Sequence, residues 1–195
     1  VSSRAKACAV ATMMTVDGFP VPLSVTGPDK GIHVVLLGAA LHPPAAYDAL
    51  CERLHIAAVR TVVIGADPRL HPKAVLAILD ALDIPWAVLV GDRFGAEVAW
   101  ELAAARPDRI TGLVVIDRGH PALPDPLGTV RDPDCPAVEI NTTALVTSPA
   151  TRAVARASQH RVYSDYRLVD FIGRRNAAES TAQLAAEIVL RTSCW

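Results

Sequence analysis

Continuous apolar runs alternate along this chain with stretches in which apolar residues recur every three or four positions. Ile32–Leu37, Thr61–Ile64, Ala87–Val90 and Ile110–Ile116 are unbroken or nearly unbroken runs, the pattern of strands buried on both faces. Thr143–Val146 and Tyr166–Ile172 predict two further strands. Helical spacing governs the segments between them. Pro44–Leu54 carries Tyr47, Leu50 and Leu54 on one face, and Pro72–Leu82 carries Val75, Leu76, Leu79 and Leu82. Phe94–Ala105, Thr151–Ser158 and Ala177–Leu190 complete the helices, the last with Leu184, Ile188 and Val189 inward. Upstream, Asp17-Gly18 is a turn signal within Thr15–Val21, predicting a hairpin whose second strand runs to about Thr26. Strands alternating with helices after an opening hairpin predict an α/β fold. Its form is a three-layer α/β/α sandwich on a mostly parallel sheet, with an antiparallel hairpin at its start.

The 195 residues suit one domain over 1–195, without repeat, low-complexity tract or linker. The segment 118–137 is rich in Pro and Asp and is expected to be a short loop, too short for a lid of several helices. Hydrophobic residues make up 51% of the chain, enough for a well-covered interior. A net charge of −1 gives no electrostatic case for nucleic acid or an anionic membrane, and no run approaches the roughly 18 apolar residues of a membrane span. Cys8, Cys51, Cys135 and Cys194 are scattered, with no C-x-x-C and no Cys/His cluster. Neither a metal site nor a disulfide framework is therefore expected, nor any cofactor, and a cytoplasmic location is the default. Val1–Met14, with Arg4 and Lys6 ahead of a Thr-interrupted apolar run, makes a poor signal peptide. Of the 19 basic residues only Lys6, Lys30 and Lys73 are lysines, so 16 are arginines, a bias suggesting a GC-rich bacterial source.

The strand Ala87–Val90 runs into Gly91-Asp92-Arg93-Phe94-Gly95 and then a helix. This has the frame of G-x-S-x-G with arginine at its tip. Other pieces follow in a consistent order. Val16-Asp17-Gly18 and Val25-Thr26-Gly27-Pro28 resemble an opening hairpin, and Val34–Gly38 is similar to a V-V-L-L-H-G strand. Ile64–Arg69 falls where A-x-D-x-R-G would stand. Ala99–Ala103, Arg106–Ile110 and Gly112–Asp117 complete the series. From Val16 to Arg191 the chain thus resembles the α/β-hydrolases. That resemblance implies a catalytic serine, cysteine or aspartate at the elbow, an acid after a later strand and a histidine after the last strand. Here those positions are Arg93, Ala150 in the turn Ser148–Thr151, and Asn176 in the turn Gly173–Asn176. The histidine that usually precedes Gly38 is also missing, and the last histidine in the chain is His160.

Arginine has no oxygen or sulfur with which to attack. The expectation is therefore a degenerate member of that superfamily, a pseudo-hydrolase without acyl-transfer machinery. Asp92, Asp117 and His120, with His71 on another loop, are weak substitutes for catalytic groups. Asp117 more simply starts a loop, and the two histidines more simply face solvent. Ser148 and Cys135 have no base beside them in sequence. Ligands of open α/β sheets bind at the carboxyl ends of the strands. That places Ala39, Arg93, Phe94, Arg174 and Arg175 around a crevice whose arginines and helix N-terminus suit an anionic small molecule. Alternatively Arg93 pairs with Asp67, Asp92 or Asp117 and closes the pocket. An active hydrolase of esters or related acyl substrates, and a protein-interaction module whose crevice a partner or a second copy covers, are the competing readings.

Overall fold

The computed structural model describes residues 10–40, 42–171 and 177–193, without the side chains of 177–179. Arg174, Arg175 and Asn176 lie outside the described residues. Eight strands are present in this region: β1 Val10–Met14, β2 Pro20–Thr26, β3 Ile32–Leu37, β4 Val59–Ile64, β5 Ala87–Asp92, β6 Ile110–Ile116, β7 Thr142–Val146 and β8 Tyr166–Asp170. They form one sheet in the order β1-β2-β4-β3-β5-β6-β7-β8. β1 pairs antiparallel with β2 and β2 antiparallel with β4, and every other pairing is parallel. The expected hairpin and parallel sheet are both present. The helices are α1 Asp48–Ile56, α2 Pro72–Ala81, α3 Phe94–Ala105, α4 Pro149–Ser158 and α5 Ala177–Thr192.

Strand side chains alternate between faces, which explains why the central strands read as unbroken apolar runs. In β3, Val34 and Leu36 join the core under α1 and α5, with Leu50, Leu54, Leu184 and Ile188. Val35 and Leu37 join the opposite core, beneath α2 and α3, with Val75, Ile78, Trp100 and Leu102. Each fully buried Leu or Ile contributes roughly 1.5–3 kcal/mol, so both layers are anchored through the same strands.

Some boundaries differ from the sequence expectation for local reasons. Pro44–Tyr47 forms a separate 3₁₀ turn before α1. α4 begins two residues earlier, because Pro149 suits the first helical turn and Ser148 and Thr151 form a reciprocal cap. The connection from β6 to β7 contains no helix. Its Val138 and Ile140 nevertheless enter the α2–α3 core, and Val138 bridges to Val162 after α4. This irregular segment thus does the covering that a helix would do in that layer. Salt bridges fasten it to α3. Arg118 Nε lies 3.0 Å from Glu97, Arg131 Nε lies 2.7 Å from Glu101, and Arg131 also meets Glu97 through Nη1. Among the described residues no helix is long and apolar enough to cross a membrane, and no cluster of three or more His, Cys, Asp or Glu could hold a metal ion.

Candidate functional site at the strand-to-helix elbow

β5 delivers Asp92 to the carboxyl edge of the sheet, and α3 starts at Phe94. Arg93 turns the chain between them at φ 48°, ψ −95°, a conformation that costs a non-glycine residue roughly 1–3 kcal/mol. The surroundings impose it. Arg93 N–H donates to Ile116 O at 3.1 Å, and Arg93 C=O accepts from Ala96 N–H at 3.2 Å. The flanking glycines permit the close packing. A Cβ on Gly91 would fall 2.3 Å from Ala96 Cα, and one on Gly95 only 2.0 Å from the Leu37 carbonyl oxygen. The elbow frame read from the sequence is physically present, with arginine at its tip.

The Arg93 side chain is 51% exposed, and its Nη1 lies 3.6 Å from Asp92 Oδ1. That separation is too long for a hydrogen bond, and with the guanidinium half in solvent the pair adds little stability. Asp67 and Asp117, the other expected partners of Arg93, are engaged elsewhere. Arg69 grips Asp67 through Nε at 2.9 Å and Nη2 at 2.8 Å, holding its carboxyl below the usual range. Asp117 accepts from Thr147 N–H at 2.8 Å and from Thr147 Oγ1 at 2.7 Å. It fits the loop-start role, with its own backbone at φ 56°.

The close partner of Asp92 is a residue that sequence reasoning assigned to a helix face. Tyr47, at the end of the 3₁₀ turn, donates from Oη to Asp92 Oδ2 at 2.9 Å. The same oxygen accepts from Ala39 N–H at 2.9 Å. Burial, reinforced by the Asp92 carboxylate, pushes the phenol well above its ordinary value and keeps it protonated. The chain Ala39 N–H, Tyr47 O–H, Asp92 carboxylate thus spans from the end of β3 to the elbow. No local sequence signal marks Tyr47 for this, because its partners lie 8 and 45 residues away.

The remaining candidates stand in fixed structural roles. His120 is 1% exposed, against the expectation of a solvated loop residue. Its Nε2 pairs with Pro136 O at 2.8 Å, its Nδ1 accepts from Ala122 N–H at 3.2 Å, and its ring meets Trp100 edge-on at 5.4 Å. Burial lowers its pKa and favours the neutral ring. His71 stands at the head of α2 with Nε2 2.6 Å from Asp17. Cys135 is buried with its thiol pushed up to about 12, mainly by desolvation, so it is a poor nucleophile. Ser148 caps α4, Ala150 is exposed in its first turn, and His160 is exposed on the 3₁₀ turn that follows. The structure thus brings Ala39, Asp92, Arg93 and Phe94 to one edge, and gives Asp117 and His120 hydrogen-bond partners of their own.

No family model matches the sequence, and no curated protein matches it. Solved structures do match. A hydrolase from Pseudomonas aeruginosa PA01 superposes with a TM-score of 0.78 at 16% identity, covering 97% of this chain and 100% of that one. A putative epoxide hydrolase from Klebsiella pneumoniae gives 0.71 at 13% identity, over 93% and 96%. The thioesterase domain from the curacin biosynthetic pathway gives 0.69 at 15% identity, over 94% and 100%. With the strand order above, these define the α/β-hydrolase fold.

Proposed function

We propose that this chain is a hydrolase-fold protein that binds a small carboxylate or phosphate at the elbow and does not perform acyl transfer there. The carrying observation is Arg93. It occupies the elbow tip in the strained backbone conformation, with a half-exposed guanidinium beside the N-terminus of α3. Helix N-terminal N–H groups and a guanidinium both favour anions, the latter through paired hydrogen bonds. In serine hydrolases of this fold, the oxyanion is held by the N–H after the nucleophile and one from the loop after the third strand. The second of these corresponds to Ala39 N–H, which Tyr47 already occupies. That arrangement supports ligand binding through Arg93 over attack on a carbonyl group.

The test has two arms. Inorganic phosphate and acetate should raise the thermal midpoint of the wild-type chain, and Arg93→Ala should lose most of that gain. In parallel, a fluorophosphonate probe and a panel of short esters, lactones and thioesters should give no labelling and no turnover. Stoichiometric labelling at the elbow, or turnover abolished by Asp92→Asn, would replace this proposal with that of an active hydrolase.

A further inference from the structure

A cavity of about 210 Å³ lies where the β6–β7 segment folds against α3 and α4. It is separate from the elbow residues, and its walls are chemically mixed. Pro121, Leu123 and Val154 supply apolar surface, while Arg118, Arg131, Glu97 and Asp125 supply charge of both signs. The segment holds its own shape. Asp132 N–H donates to Pro121 O at 3.1 Å, and Asp125 N–H donates to Thr129 O at 2.9 Å. Trp100 Nε1 donates to Arg118 O at 3.2 Å, and His120 N–H donates to Ser158 Oγ at 2.9 Å. The cavity is therefore built on rigid supports.

The charged groups are only partly consumed by one another. Arg118 spends Nε on Glu97, and Arg131 spends Nε and Nη1 on Glu101 and Glu97. Asp125 accepts through Oδ1 from Leu127 N–H at 2.8 Å and Thr129 N–H at 2.9 Å. Those contacts use Oδ1 alone, and Oδ2 has no hydrogen-bond partner among the described residues. Around one small space there are thus guanidinium nitrogens for a carboxylate, a carboxylate oxygen for an ammonium, and an aliphatic wall. Glu97 and Glu101 offset the guanidinium charge but leave guanidinium N–H groups unused, so a carboxylate is held by hydrogen bonds, and Asp125 favours a ligand that also carries positive charge. The volume falls below the roughly 300–1,000 Å³ of drug-sized sites. We infer that this cavity is a binding site for a small zwitterion, an aliphatic α-amino acid of about the size of valine.

L-valine, isovalerate and isobutylamine separate the contributions, since each of the latter two lacks one charged group. Titration monitored by amide NMR should shift Gly119 and Thr129 with L-valine, and the other two compounds should bind at least about tenfold more weakly. Asp125→Asn preserves an Oδ1 acceptor for the turn and removes the charge, so it should erase the preference of valine over isovalerate. Arg118→Gln should weaken valine about tenfold while the thermal midpoint reports whether the loop is still folded. Three results would overturn the inference: no shifts at saturating valine, equal binding of isovalerate by the wild-type chain, or shifts confined to residues around Arg93. The first two results leave anion binding at the elbow untouched and the third would support it; failure of that binding is read from the phosphate and acetate arm.

Discussion

Arg93 carries its positive φ without the glycine that would relieve it. Replacing it with glycine removes the Cβ that makes this conformation costly, while adding some unfolded-state entropy. Arg93→Gly is expected to stabilise the chain by about 1 kcal/mol in urea unfolding, and Arg93→Ala is expected to show no such gain. His120 makes the opposite case, a side chain whose surroundings fit it closely. Removing its ring leaves Pro136 O and Ala122 N–H without their partner and opens a hole beside Trp100, so His120→Ala should cost about 2–4 kcal/mol at pH 7.5. Burial lowers the folded pKa of His120 below its ordinary 6.5, and His33 and His55 shift the same way. The unfolded chain then takes up protons first as the pH falls. Stability is full above about pH 6.5 and declines below it, toward the depressed folded values. Urea midpoints between pH 8 and 5 should show that decline, with a shallower slope in His120→Ala.

At the scale of elements, the elbow is set by its glycines. A methyl group at Gly95 would press on the backbone carbonyl of Leu37, which cannot swing aside as a side-chain tip would. Gly95→Ala is expected to destabilise by about 3 kcal/mol or more, measured by thermal unfolding. These elements were legible in the sequence because their causes are local. Continuous apolar runs mark doubly covered strands, Gly91 and Gly95 frame the turn, and Pro72 opens a helix. Less of the candidate site could be read. Arg93 stood out as the wrong residue in a recognisable frame. The Tyr47–Asp92 contact did not, because a tyrosine at helical spacing reads as core and its partner arrives by tertiary packing. The burial of His120 was hidden for the same reason. An irregular segment rich in Pro and Asp looks solvated until Val138 and Ile140 are seen tucked beneath it.

The whole molecule depends on a few contacts joining distant parts. Arg191, near the end of α5, is 3% exposed. It donates from Nε to Thr143 Oγ1 at 2.7 Å, from Nη2 to Thr142 O at 3.0 Å and from Nη1 to Asp165 at 2.6 Å. It fastens the last helix to β7 and to the segment leading into β8. Truncating it strands the buried acceptors Thr142 O and Thr143 Oγ1, so Arg191→Ala should lower stability by about 2–4 kcal/mol in urea unfolding. In sequence this arginine reads only as a helix-terminal cation, since nothing nearby announces that β7 will supply its acceptors.

The strand order has a consequence in time. β3 lies between β4 and β5, pairing Leu37 with Ile64 on one side and with Gly91 on the other. As the chain emerges from synthesis, the first of these seams can close while the second waits for β5. During that interval Val34–Leu37 offers an apolar strand with one edge open, a template for any passing chain. Closing the seam quickly protects the nascent protein. The tight turn at Gly91–Gly95 that shapes the site also ends the waiting period, by seating α3 over β3 as soon as β5 docks.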